Sequence, residues 1–196
     1  MYGYDQESQW TYLTIGIIII AFMLSILAPV TLMTILQDIF HFSRSHWIFM
    51  APISAYIMLG ASFVWIGLLL ILFLILRSKR KKPPVWVLAI GIPVAELFFV
   101  LSINNYYYFQ DQGITYNPLF SISPQHYQWE DIERINQIYD KSEGTIFLKD
   151  MLFQLKNGKD ITFNYRPEFW EHRDSILTKA REGGAVTTDN LAELRK

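Results

Sequence analysis

One carboxylate, Glu96, interrupts the otherwise apolar run VWVLAIGIPVAELFFVLSI. On insertion scales a charged acid at such a depth costs on the order of 2.5–3.5 kcal/mol, so Glu96 is expected to face other helices or to be protonated. Two roles stay open for it. It is a functional group, as a proton or ion site or a contact to a partner, or it is a neutral acid hydrogen-bonded to a Ser or Thr of a neighbouring helix. A second group is the basic block Arg77, Lys79, Arg80, Lys81 and Lys82 in RSKRKKPP. Clustered cations beside an apolar helix set its topology or attract anionic lipid. A third is the phrase YQWEDIERI, residues 127–135. Trp129 is a large apolar anchor able to close one end of a sheet, and the Asp131 carboxylate can cap the adjoining turn. The alternative makes Glu130, Asp131 and Glu133, with Asp111, a cation site, although their order lacks calcium-loop spacing.

Little else in the sequence suggests chemistry. His41, His46, His126 and His172 form no zinc-type pair, and there is no cysteine to supply a thiolate, a disulfide or a nucleophile. No phosphate-binding glycine loop, G-x-S-x-G or H-E-x-x-H is present. No catalytic residue, cofactor or metal is therefore expected, and the chain reads as non-enzymatic. Nucleic acid is not an expected partner, because the charged half of the chain is acidic and carries no basic stripe.

The elements that hold these groups divide at about residue 104. Residues 1–104 contain four acids and six basic residues, whereas residues 105–196 contain fourteen and eleven. The first half offers three runs near the roughly 20 apolar residues that cross a bilayer: 12–36, 48–76 and 85–103. Pro29 is expected to kink the first. Aromatic residues mark the ends, at Trp10, Tyr12, Trp47, Trp86 and the Tyr106, Tyr107, Tyr108 triplet, as rings at headgroup depth do. Small residues four apart (Ala21 and Ser25, Ala51 and Ala55, Gly91 and Ala95) would permit close helix approach. The first eleven residues carry no Lys or Arg, which argues against a cleavable leader. The basic block faces the cytoplasm by the positive-inside rule, since the loop between the first two runs offers only Arg44. With three spans the N-terminus is cytoplasmic and the C-terminal domain extracytoplasmic.

From residue 105 the hydrophobic period becomes strand-like. Strands are expected at 106–110, 113–116, 119–123, 126–129, 132–139, 145–148, 151–156 and 160–165. Asn157-Gly158 predicts a two-residue hairpin turn. Pro167 opens a helix to about residue 182, with Phe169, Trp170, Ile176 and Leu177 as its apolar stripe and Gly183-Gly184 as its stop. Residues 105–184 are expected to fold as their own domain, and 185–196 to be a frayed tail or a short surface helix. The fold class is thus an α-helical membrane region plus an α+β domain, an antiparallel β-meander capped by one helix.

The order D-x-G-I (Asp111, Gly113, Ile114), then W-x-D-I (Trp129, Asp131, Ile132), then a hairpin and a helix resembles the bacterial pleckstrin-homology-like domains of small multi-span membrane proteins, the YcxB-like group included. The resemblance covers about residues 105–182. It implies a PH-like barrel and an interaction or regulatory role rather than phosphoinositide reading, and a cell-membrane location. Members of that group often have two spans and a cytoplasmic domain, which leaves a cytoplasmic location as the alternative to the external one. The expected partners are the lipid bilayer and a protein, peptide or envelope component. The alternative function is an accessory to transport or a channel, centred on Glu96.

Overall fold

Proline at position 29 lacks the N–H that would bond the Ser25 carbonyl, and the packing of the first two helices is built around that gap. A computed structural model describes residues 2–41, 43, 46–79, 83–121, 123–142 and 144–194, the side chains of 2–7, 168 and 170 excepted. It separates into two compact units, residues 1–42 with 53–105 and residues 43–52 with 106–196.

The first unit holds α1 (Tyr2–His41), α2 (Ile53–Lys79) and α3 (Val85–Ile103), all long and apolar enough to cross a membrane. Helix α1 packs on α2, and α2 on α3. A Cβ on Gly60 of α2 would stand 2.7 Å from the Ser25 carbonyl oxygen, so glycine allows α2 to press against the acceptor that Pro29 cannot serve. A Cβ on Gly91 of α3 would collide with the Leu69 side chain of α2. Polar side chains finish the joints: Trp65 Nε1 donates to the Gly91 carbonyl at 2.9 Å, and Ser102 Oγ donates to the Ala55 carbonyl at 3.0 Å. Gln37 Nε2 donates to the Asn105 carbonyl at 3.1 Å. Ala21, Ala55, Gly91 and Ala95 are all buried, as residues at close helix approaches should be.

The second unit is two four-stranded sheets and helix α4. Antiparallel β1 (Ile48–Met50), β2 (Tyr106–Gln110), β3 (Gly113–Asn117) and β4 (Gln125–Gln128) form the first sheet in that order. The second runs β7 (Asp160–Asn164), β6 (Thr145–Leu155), β5 (Ile132–Ser142), β8 (Val186–Asp189), with β8 parallel to β5. Phe109, Phe153 and Phe163 on the strands and Phe169 on α4 (Pro167–Glu182) are each at most 1 % exposed and share one core. Their rings meet edge-on or tilted, Phe109 to Phe163 at 5.3 Å and Phe109 to Phe169 at 5.4 Å. The sheets are not closed into a barrel.

Several expectations change in this light. Residues 48–50, read as the start of the second span, are β1 instead: Pro52 delays the helix to Ile53, and the freed strand pairs Ile48 with Phe109 and Met50 with Tyr107. The sheet unit is therefore not confined to residues after 105. The expected strand at 119–123 is absent among the described residues of that stretch, from which Ile122 is excluded. Pro118 and Pro124 flank it, the Ser121 N–H turns back to the Pro118 carbonyl at 2.9 Å, and Phe120 is exposed. The separate strands at 145–148 and 151–156 are one strand, β6. Its apparent break is a bulge, because Ile138 faces Asp150 while Tyr139 faces Leu148, leaving Lys149 as the extra residue. The Asn157-Gly158 turn has three residues, not two. The Gly158 N–H donates to the Leu155 carbonyl at 2.9 Å, Gly158 takes φ +81°, and the Leu155 N–H closes on the Lys159 carbonyl. Of the two readings of residues 185–196, the short surface helix is seen, as the one-turn α5 (Leu191–Leu194), and it is preceded by a strand, β8, that neither reading included.

Candidate functional site

Glu96 lies in the fourth turn of α3, and helix periodicity places Ile92, Ala95 and Phe99 on the same side. Together with Ser62, Phe63, Ile66 and Leu70 of α2 they line a groove of about 500 Å³. The groove is apolar apart from Glu96 and Ser62, and Ser62 Oγ donates to its own helix at the Leu59 carbonyl, 2.7 Å away. Glu96 is exposed at this groove and makes no hydrogen bond or ion pair among the described residues. Of the two roles left open for Glu96, the hydrogen bond to a Ser or Thr of a neighbouring helix is not formed among the described residues. Ser62 and Ser102 are both spent on backbone carbonyls, and α3 presents the carboxylate outward between its own apolar side chains. Chemically, the site offers one acidic group in an apolar trough: a hydrogen-bond acceptor when ionised, a donor when protonated.

In the basic block, Arg77 is half-buried and Lys79 exposed in the last turn of α2, where cations suit the negative end of the helix dipole. Arg80, Lys81 and Lys82, like Arg44, lie outside the described residues.

Trp129 and Asp131 sit in a 3-10 turn at Trp129–Asp131, the corner where the chain leaves the first sheet for the second. Asp131 Oδ2 accepts from the Gln128 N–H at 2.9 Å and its carbonyl accepts from the Lys156 N–H at 2.9 Å, so the carboxylate closes the turn. Trp129 is 4 % exposed, and its Nε1 donates to the Asp111 carbonyl at 2.9 Å. The Trp47 ring stacks on it at 6.1 Å. From the other side comes Gly183 at the end of α4, where a Cβ would stand 2.6 Å from the Trp129 carbonyl carbon and oxygen. Gly113, at φ +149°, presses on the Tyr127 carbonyl, a contact that any Cβ would obstruct. The D-x-G-I and W-x-D-I phrases therefore meet in space as one corner. Among the described residues no three His, Asp or Glu side chains gather as metal ligands, so Asp111, Glu130, Asp131 and Glu133 form no cation cage.

The tyrosine triplet splits by strand alternation. Tyr107 points into the core and is 3 % exposed. Tyr106 and Tyr108 lie on the opposite face, stacked at 6.1 Å, with Phe49 5.6 Å from Tyr106 and His46 3.8 Å from Tyr108. Burial and the neighbouring Tyr108 push the Tyr106 hydroxyl above the usual phenol range, so it stays a neutral donor at physiological pH. On that face Thr115 Oγ1 and His126 Nδ1 share a hydrogen bond of 2.8 Å.

One polar cluster was not anticipated. On α4, Arg173 Nε and Nη2 donate to Gln137 Oε1 of β5 at 3.0 and 2.6 Å, and Nη2 reaches the Tyr139 hydroxyl at 3.3 Å. Next to it Asn190 binds both backbone groups of Tyr139. The β-branched run Val186, Thr187, Thr188 was the available sequence sign of a strand there. No protein family, no curated protein and no solved structure matches this chain.

Proposed function

We propose that the chain is a non-enzymatic, multi-pass protein of a bacterial cell membrane whose sheet unit works as an interaction or regulatory module at the membrane surface. The observation that carries this reading is β1. A strand taken from between two apolar helices is built into the first sheet, and only residues 51–52 separate it from α2, as only 104–105 separate α3 from β2. A sheet tied that closely to apolar helices stays at the surface they enter. Two sheets, antiparallel except for the β5–β8 pair, with α4 inserted in their common core support a PH-like domain, as does the corner joining Asp111 and Gly113 to Trp129 and Asp131. The basic block supports a cytoplasmic RSKRKK loop and an extracytoplasmic domain. Its partner is a protein, peptide or envelope component.

A second reading, an accessory to a transporter or channel, is favoured by the Glu96 groove, whose lone carboxylate makes no hydrogen bond or ion pair among the described residues. The two separate in the native host by comparing a null strain with deletion of residues 106–196 and with Glu96→Gln. The module reading expects the deletion to reproduce the null phenotype and Glu96→Gln to be silent. A silent deletion with a null-like Glu96→Gln would overturn it in favour of the accessory role.

A further inference from the structure

We propose that the edge of β5 from Arg134 to Gln137 is a strand-addition site for an extended polypeptide segment, and that β8 is its resident, exchangeable occupant. This rests on the reading of the sheet unit as an interaction module and states where that module binds.

The four strands at sheet edges are not equivalent. β1, β4 and β7 each set a side chain into or against the core, Ile48, Tyr127 and Phe163 among them, whereas no residue of β8 does. Three of its four side chains are exposed and Thr187 is half-buried. What holds β8 is polar and follows the main chain. The register pairs Arg134 with Val186 and Gln137 with Asp189. Thr188 Oγ1 donates to Asn136 Oδ1, and Arg181 Nη2 and Nε donate to Thr187 Oγ1 at 3.1 and 3.3 Å. Beyond the last ladder pair the Asn190 side chain stands in for a backbone: the Tyr139 N–H donates to Asn190 Oδ1 at 2.8 Å, and Asn190 Nδ2 donates to the Tyr139 carbonyl at 3.0 Å.

Departure of β8 would leave the core covered. Helix α4 is anchored by Phe169, Ile176, Leu177 and Ala180, and Ala185 stays seated through its N–H bond to the Ala180 carbonyl at 2.8 Å. Gly184, at φ +93°, already breaks the helical path just before. An edge strand that contributes hydrogen bonds but no core is what strand addition exchanges, since the main-chain ladder supplies affinity to any extended segment. The ligand that fits runs parallel to β5. It carries a hydroxyl or other acceptor facing Arg181, a donor facing Asn136, and a side-chain amide three residues beyond the first for Tyr139.

The test uses the full chain in detergent micelles or nanodiscs and the same chain ended after Ala185, with a fluorescent peptide of residues 186–194. Hydrogen exchange on the intact chain should show β8 amides opening roughly 100-fold faster than the β5–β6 ladder, as local rather than global unfolding. The shortened chain should bind the peptide at least about ten-fold more tightly than the intact chain, where β8 competes, and Asn190→Ala in the peptide should weaken binding by about ten-fold. Equal binding to both chains, no binding to the shortened chain, or β8 amides as protected as the β5–β6 ladder would overturn the proposal. So would a shortened chain that fails to fold, because β8 would then be part of the core structure. These results bear on the edge alone; the deletion phenotype tests the module reading separately.

Discussion

The most exposed consequence of the fold is that the sheet unit needs a strand from the membrane half. A fragment of residues 106–196 lacks β1, and the loss can be sized. Ile48 is 3 % and Met50 5 % exposed, so withdrawing β1 removes two buried side chains. At about 1.5–3 kcal/mol each, that is about 3–6 kcal/mol. The ladder adds to this, including the Trp47 N–H to Phe109 carbonyl bond of 2.8 Å, at about 0.5–1.5 kcal/mol net per bond. A domain of this size has about 5–15 kcal/mol in total, so the bare fragment should be marginal or partly unfolded.

Restoring the strand should restore the stability. Met50 stands opposite Tyr107 in an antiparallel pair, so joining residue 52 to residue 105 through a short glycine-rich turn makes a hairpin without either span. Guanidinium unfolding of residues 43–52 joined in this way to 105–196, followed by far-UV circular dichroism, should be cooperative and about 3–6 kcal/mol more stable than the fragment. Ile48→Asp in the joined chain should remove most of that gain, because it places a carboxylate in an apolar slot. If the fragment and the joined chain unfold with the same slope and within about 1 kcal/mol, β1 is an ornament of the edge and the reasoning fails.

Two other outcomes follow from the same geometry. Trp129→Ala in the joined chain should cost about 3–5 kcal/mol, the range for deleting a buried aromatic. Trp129→Phe should retain much of the stacking on Trp47 while losing the bond to the Asp111 carbonyl; a loss below about 1 kcal/mol for the alanine variant would reassign Trp129 to a binding surface. Because the sequence has no cysteine, single Ser142→Cys and Ser78→Cys variants report sidedness cleanly. An impermeant thiol reagent on intact cells should label the first and not the second, and labelling of the second alone would reverse the orientation.

What the sequence made legible is what periodicity and length encode. α3, β2, β3 and α4 carried strong local patterns, and the structure places each within a residue. The first two apolar helices were recognised with displaced bounds, α1 running Tyr2–His41 against 12–36 and α2 Ile53–Lys79 against 48–76. The misses have physical reasons. Ile48, Phe49 and Met50 merge with the apolar residues that follow, and only Pro52 marks where strand gives way to helix. β8 is polar because its edge faces water, so no hydrophobic alternation betrayed it. The direction of Glu96 was unreadable for a different reason. α3 is apolar all round, so the sequence fixes the depth of the carboxylate while nothing in the pattern says which face meets α2. Trp129 and Asp131 were readable as scaffold from residue type, but their partners, the Asp111 carbonyl and Gly183, come from other elements and depend on the fold.

The β1–β2 pairing also constrains the path of the chain through a bilayer. If α1 and α2 cross, residues 43–52 emerge on the side opposite the N-terminus and RSKRKK lies on the side of the N-terminus. Were α3 to lie in the interface or re-enter without crossing, as Pro93 and Glu96 would encourage, residues 106–196 would remain beside RSKRKK. β1 and β2 would then be on opposite sides of the membrane and could not exchange hydrogen bonds. Their register, Ile48 with Phe109 through Met50 with Tyr107, therefore requires α3 to cross whenever α1 and α2 do. At about 1.5 Å per residue its 19 residues reach about 28 Å, close to the roughly 30 Å of a hydrocarbon core. A crossing α3 would carry Glu96 into that core, at the roughly 2.5–3.5 kcal/mol that insertion scales assign to a charged acid there.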